Sequence, residues 1–303
     1  MANTTFSGPV RSENGFKLTS KTASTGVVHD RTFGTPAKDA RRYYLEEYFS
    51  KKPGLNAVAV IDPDADSASA LAAFVIANRD FETLGTNYTT ALTTFAAHQA
   101  GILMTTATAD QDQGILLPHL DTNQTAWSGT KWGTENQVQW ECSIQAAQTD
   151  NEKIWAGLKL TNDQLIATDD NQIFFKYATD AGNGEALDTF ANWHVVHSIG
   201  GTDYISRLPI AFAADTPYHL KIVIDSDRKA TVFVNGIQYN LTSTSGSTGG
   251  TAVTAVQPGK AVVKSAALTN DVNLIPYIGI ENGDAAAAVL NVHYTAISRH
   301  VYE

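Results

Sequence analysis

The chain has a single cysteine, Cys142, among 303 residues, so no intrachain disulfide can staple it. It is also poor in charge. Asp, Glu, Lys and Arg make up 17% of the residues, against roughly a quarter in an average soluble protein. No apolar run approaches the roughly 20 residues that a membrane-spanning helix needs. The opening MANTTFSGPVRSENGF lacks the apolar core of a signal peptide, so assembly in a reducing cytoplasm is expected. No stretch gathers Lys and Arg at the density phosphates require, and the formal net charge of −10 argues against a nucleic-acid surface. Ala, Ser, Thr, Asn and Gly take the place of charge. The resulting surface is polar but weakly charged, and suits large contacts with other subunits.

Catalytic and metal-binding patterns are missing as well. A glycosidase built on a sandwich needs two carboxylates facing one cleft. From Glu141, the positions that would complete a Glu-Asp-Glu strand signature hold Ser143 and Ala146. His194 and His197 have H-x-x-H spacing, but residues three apart on a strand point to opposite faces. Asp62, Asp64 and Asp66 open like a calcium loop, yet Ser67 stands where glycine is needed and Ala73 where the bidentate glutamate belongs. A turn is the simpler reading there, leading into a short helix through Leu71, Phe74 and Val75. Gly259-Lys260 lacks the rest of a phosphate loop. No catalytic residue, metal ligand or cofactor is therefore expected.

What the chain does have is strands. In Tyr218 to Tyr239, apolar Tyr218, Leu220, Ile222 and Ile224 alternate with polar neighbours, and Asn235-Gly236 supplies a tight hairpin turn. Val138, Trp140, Cys142 and Ile144 share one face of another strand, which makes Cys142 a small buried residue rather than a nucleophile. Further strands are expected at 55–61, 80–84, 91–95, 101–107, 114–118, 153–160, 172–177, 192–199, 205–212, 230–235, 237–241, 274–281 and 289–298. Their spacing fits an antiparallel β-sandwich and not a βαβ fold. Thr242 to Gly250 reads as a mobile Ser/Thr/Gly loop.

Three segments follow from this pattern. Residues 1–35 carry scattered apolar residues with no helical period: Phe6, Val10, Phe16, Leu18 and Phe33. A disordered tail would fit the low hydrophobicity. Three phenylalanines favour an extended arm that anchors on a neighbouring subunit. Residues 36–77 read as a helix-containing linker: Thr35 caps, Pro36 opens, Ala40, Tyr44 and Tyr48 recur every four residues, and Pro53-Gly54 stops. Residues 78–303 form the sandwich.

The run from about Arg79 to Arg299 resembles the concanavalin A-like, or laminin G-like, jelly-roll domain of virion structural proteins of tailed phages, marine and cyanobacterial ones in particular. The segments that carry the resemblance are NRDFETLGTN (78–87), ILLPHLDTNQTAWSGTKWGTENQVQWE (115–141), IWAGLKLTN (154–162), DDNQIFFKY (169–177), YHLKIVIDSDRKATVFVNG (218–236) and IPYIGIENGDAAAAVLNVHYTAISR (275–299). The opening MANTTFSGPVRSENGF is similar to the start of such phage proteins. The resemblance implies a non-enzymatic virion protein, assembled in the host cytoplasm, in contact with the major capsid protein or other virion proteins.

A capsid decoration or cement protein is the leading expectation, as a homo-oligomer with a trimer as the working guess. An extended arm of 35 residues would reach on the order of 100 Å. The alternative is a receptor-recognition module for host glycan. Its candidate contacts are Trp127, Trp132 and Trp155, with Glu135 and Asn136 near in sequence. The competing reading of these tryptophans is core or interface packing.

Overall fold

The computed structural model describes residues 19–21, 28–30, 42–48, 55–60, 71–76, 81–84, 101–106, 108, 113–118, 132–161, 164–179, 187, 191–246, 249–283 and 286–300. Among these the chain forms twenty strands. They are β1 (Thr19–Lys21), β2 (Val28–Asp30), β3 (Arg42–Glu47), β4 (Leu55–Val60), β5 (Leu71–Ile76), β6 (Phe81–Leu84), β7 (Ile102–Thr105), β8 (Gln113–Pro118), β9 (Trp132–Gly133), β10 (Gln139–Ala146), β11 (Glu152–Lys159), β12 (Gln172–Ala178), β13 (Asn192–Ile199), β14 (Thr202–Ala211), β15 (Tyr218–Ile224), β16 (Ala230–Val234), β17 (Ile237–Tyr239), β18 (Thr251–Ala252), β19 (Asn273–Asn282) and β20 (Val289–His300). Two 3-10 turns, Thr134–Asn136 and Ile166–Thr168, are the only helical segments among the described residues.

The strands form the expected antiparallel β-sandwich. One sheet has the order β17-β16-β15-β10-β20, with β3 and β7 both against the far side of β20. The longer sheet runs β18-β14-β13-β12-β11-β19-β8-β6-β5-β4, with β9 also on β19. All pairs are antiparallel except β14 with β18. The chain passes from one sheet to the other between β10 and β11 and again between β19 and β20, so the two inner faces are tied at both points.

Alternation explains the core. Trp140, Cys142 and Ile144 of β10 and Leu220, Ile222 and Ile224 of β15 face Ile154, Ala156 and Leu158 of β11 and Ile278 and Ile280 of β19. Trp193, Tyr177, Phe212 and Tyr218 fill one region with stacked and edge-on rings, Tyr177 and Phe212 centred 4.2 Å apart. Fully burying side chains of this size stabilises by roughly 1.5–3 kcal/mol each. The hairpin turn between β16 and β17 is as expected, with Asn235 and Gly236 both at positive φ (49° and 78°).

Several expectations need correction. Among the described residues after Thr35 the expected helix is replaced by a strand: Arg42–Glu47 lies on β20, paired from Thr295↔Glu47 to His300↔Arg42. Residues four apart share a strand face as well as a helix face, so the Tyr44/Tyr48 spacing did not discriminate. The second helix is absent too, since β5 pairs with β4 and β6. Sheet pairing thus begins ahead of residue 78. The Thr242–Gly250 loop is packed where it is described: Thr242 N–H donates to Ser206 Oγ at 2.9 Å and Gly246 N–H to the Asp203 carbonyl at 3.2 Å. Phe6, Val10, Phe16, Leu18, Phe33, Asp62–Asp66 and the 91–95 strand lie outside the described residues.

Candidate functional site

The two outer faces of the sandwich differ in kind. Over β11, β12, β13 and β19 that of the long sheet is sealed. Lys153, Trp155 and Lys159 of β11, Phe174 and Lys176 of β12, His194 of β13 and Tyr277 of β19 all have 0% exposure. Their charges are used to tie strands together. Lys153 Nζ donates to Glu281 Oε1 at 2.9 Å, and Gln113 Nε2 to Glu281 Oε2 at 2.5 Å. Lys159 Nζ reaches Asp169 at 3.1 Å and Gln172 Oε1 at 2.6 Å, and lies over the Phe174 ring. Lys176 Nζ donates to the Gln164 carbonyl and side chain. His194 lies between Lys176 and Arg207 in register. Burial, with those cations adding to it, holds its pKa down at about 4.

The outer face of the seven-stranded sheet is the more open one, and it gathers the candidate site. A β-bulge builds it. Ser143 opposes Tyr294 but Ile144 opposes Val292, which leaves His293 as the extra residue. Val292 therefore enters the core while Tyr294, two residues on, points outward. There Tyr294 Oη donates to Glu141 Oε1 at 2.6 Å. Tyr44 Oη lies 3.4 Å from Tyr294 Oη and donates to Glu46 Oε2 at 2.6 Å, and Tyr48 Oη donates to the same oxygen at 3.3 Å. The Tyr48 and Tyr294 rings are 4.7 Å apart, and Tyr48 is 50% exposed.

One polar chain thus runs from Glu141 on β10 over Tyr294 on β20 to Tyr44, Glu46 and Tyr48 at β3. Glu141 and Glu46 both oppose Ala296, which puts their backbones two strand spacings apart, about 9.5 Å. Lys221 Nζ is 3.4 Å and His219 Nε2 3.8 Å from Glu141 Oε2. Burial, reinforced by Glu141, raises the Tyr294 phenol far above its ordinary value, so it stays a hydrogen donor at any working pH. Burial also lowers the pKa of His219, against the pull of Glu141. The arrangement offers exposed aromatic edges, carboxylate acceptors and one ammonium on a shallow face.

A third feature sits at the end of the sandwich interior. Glu152, the first residue of β11, is on the same side as Ile154 and has 0% exposure. Neither of its carboxyl oxygens has a hydrogen-bond partner among the described residues. Burial, with Asp150 adding to it, pushes its pKa up to about 9.

Two of the three tryptophan candidates, Trp132 and Trp155, are buried. Trp155 is wholly buried on the sealed face, where its indole lies flat over Gly279. Trp132 is 5% exposed and stacks on Tyr43 at 6.0 Å. Trp127 lies outside the described residues. His194 and His197 do take opposite faces of β13, and Cys142 is buried, both as expected. The tyrosines and Glu46 of β3 were missed as a site because they were assigned to a helix. The signal was present, since Arg42, Tyr44, Glu46 and Tyr48 are an alternate-residue set of polar and amphipathic side chains.

No family model and no curated protein matches the chain. Among solved structures it is similar to a protein of unknown function from Shewanella oneidensis MR-1, at 10% identity over 89% of this chain and 95% of that one, with a TM-score of 0.44. Peanut lectin aligns at 9% identity over 87% of this chain and all of its own, with a TM-score of 0.44. A Bacteroides ovatus mixed-linkage glucan GH16 protein aligns at 9% identity over 73% and 95%, with a TM-score of 0.43. Lectins and carbohydrate-active enzymes both occur among these structures, and likeness this distant says nothing about ligand or reaction.

Proposed function

We propose that the chain is a non-enzymatic structural protein of a phage virion, most specifically a capsid decoration or cement protein. It would assemble in the host cytoplasm as a homo-oligomer, a trimer in the simplest case, and hold to the major capsid protein or other virion proteins through its N-terminal arm. Beside the sequence resemblance, one observation supports this reading: the segment that follows the arm is rooted in the sandwich. β3 pairs with β20 over six residue pairs. Arg42 also clamps Ser298 Oγ and the Gln137 carbonyl, both at 2.9 Å. The chain from residue 42 onward is thus held in a sheet strand, while within residues 1–35 the described strands β1 and β2 pair with each other, so there the expected extended arm doubles back on itself.

The test is deletion of residues 1–35, which leaves β3 intact. The truncated protein should fold but fail to rebind stripped shells, and the wild type should be present in hundreds of copies per particle by gel densitometry. Undiminished rebinding, or a few dozen copies, would refute the reading.

A second reading, a virion-borne glycan-recognition module, is favoured by the half-exposed Tyr48 packed at a tilt against Tyr294 beside two carboxylates. It requires glycan-array binding by the full chain that Tyr48→Ala abolishes.

A further inference from the structure

On the strands beside the buried Glu152 carboxyl, the Tyr177 and Thr179 hydroxyl hydrogens are committed elsewhere. Tyr177 Oη donates to the Thr149 carbonyl at 2.6 Å, and Thr179 Oγ1 donates to the same carbonyl at 2.7 Å. Thr179 N–H is spent on the Glu152 backbone carbonyl at 3.0 Å. Across β19, Asn282 directly opposes Glu152 and is itself fully buried, with its amide nitrogen donating to the Ala286 carbonyl at 3.1 Å. Asp150, two residues back in the β10–β11 connection, adds a second negative charge close enough to act on Glu152. The Asn151 carbonyl accepts from Gly283 N–H at 2.6 Å, which pins this connection to the end of β19.

Ionised, this carboxyl would be an anion with no donor in a dry site, which costs several kcal/mol, so without a counter-ion it keeps its proton; a bound cation would take the place of that proton. Here the neighbours are carbonyl, hydroxyl, amide and carboxylate oxygens, the donor set hard cations prefer. Among the described residues, nitrogen and sulfur ligands of the kind that select zinc or copper are not part of it.

We propose that the sandwich end between β11 and β19 is a binding site for one hard cation, ligated by the Glu152 carboxylate with the Asn282 amide oxygen and oxygens of the 149–150 turn. The ion would supply the positive partner that the protein withholds. It would also bind β11, β19 and the β10–β11 crossover into one unit, at a point where the chain passes between sheets.

The test uses the full chain dialysed against EDTA and then titrated with CaCl2, MgCl2 or KCl at matched ionic strength. At a hundredfold excess over its dissociation constant, one of these should raise Tm by about 5 °C. Glu152→Gln should lose that rise while its EDTA-treated Tm is no lower than that of the wild type. Terbium luminescence sensitised by the aromatic core, displaced by the active cation in the wild type and absent in Glu152→Gln, gives a readout independent of stability. No rise with any of the three salts, or equal rises in wild type and Glu152→Gln, would overturn the proposal.

Discussion

Tyr294→Phe tests whether the polar chain on the open face is structural. The substitution keeps the ring, and with it the tilted ring contact with Tyr48, but removes the hydroxyl that donates to Glu141 at 2.6 Å and lies 3.4 Å from Tyr44. A hydrogen bond to a charged group contributes about 1.5–3 kcal/mol. Lys221, 3.4 Å from the other oxygen, keeps Glu141 partly compensated. The expected loss is therefore about 2 kcal/mol, or a fall in Tm of about 3 °C for a chain of this size. Because Tyr44 and Tyr48 belong to the β3 region, the loss should be local in its dynamics. Amide exchange should quicken in Arg42–Glu47 and not in β15. Denaturant unfolding of wild type, Tyr294→Phe, Glu141→Gln and the double variant gives the coupling energy directly. A change below about 0.5 kcal/mol with β3 protection unaltered would refute the claim that this hydroxyl links β10 to β3.

Three further perturbations probe the sealed parts of the fold. Burial holds both His194 and His197 neutral down to about pH 4. The unfolded chain takes up their protons near 6.5, so stability is complete above that pH. It is lost as pH falls towards 4, by up to about 1.4 kcal/mol per pH unit for each histidine. His197→Phe, which keeps the stack on Tyr204, should halve that slope in urea midpoints measured from pH 7 to 5. An unchanged slope would contradict the assignment. Lys153→Met strands Glu281 in the sheet and should cost about 3–5 kcal/mol, whereas Lys153→Met with Glu281→Leu should recover most of it in thermal scans. Gly279→Ala would put a methyl group into the Trp155 indole, so a loss of about 1–3 kcal/mol and a shifted tryptophan emission are expected.

Much of the fold could be read locally. The alternation at 137–145, 192–199 and 218–225 and the Asn235-Gly236 turn needed no partner to be recognised, because period two is a property of the strand itself. The candidate site was less legible. Tyr44 and Tyr48 satisfy a helical and an extended spacing equally, and the choice was made by β20, some 250 residues away. Tyr294 faces outward because of a bulge opposite Ser143 and Ile144, and bulges leave no mark in the hydrophobic pattern of one strand.

Trp155 shows the division most clearly. Its place among Ile154, Ala156 and Leu158 told that it leaves the core side of β11, and the amino-acid order alone determined that much. Whether the far side meets solvent was decided only when the chain closed over it and left the indole with no exposed surface. Glu152 makes the same point in reverse, as a charged residue at a strand end that looks solvated until the crossover turn encloses it. Local sequence sets the side on which a side chain emerges. Contacts between segments far apart in the chain decide what is waiting there, and so whether a charge is hydrated, paired or left to find an ion.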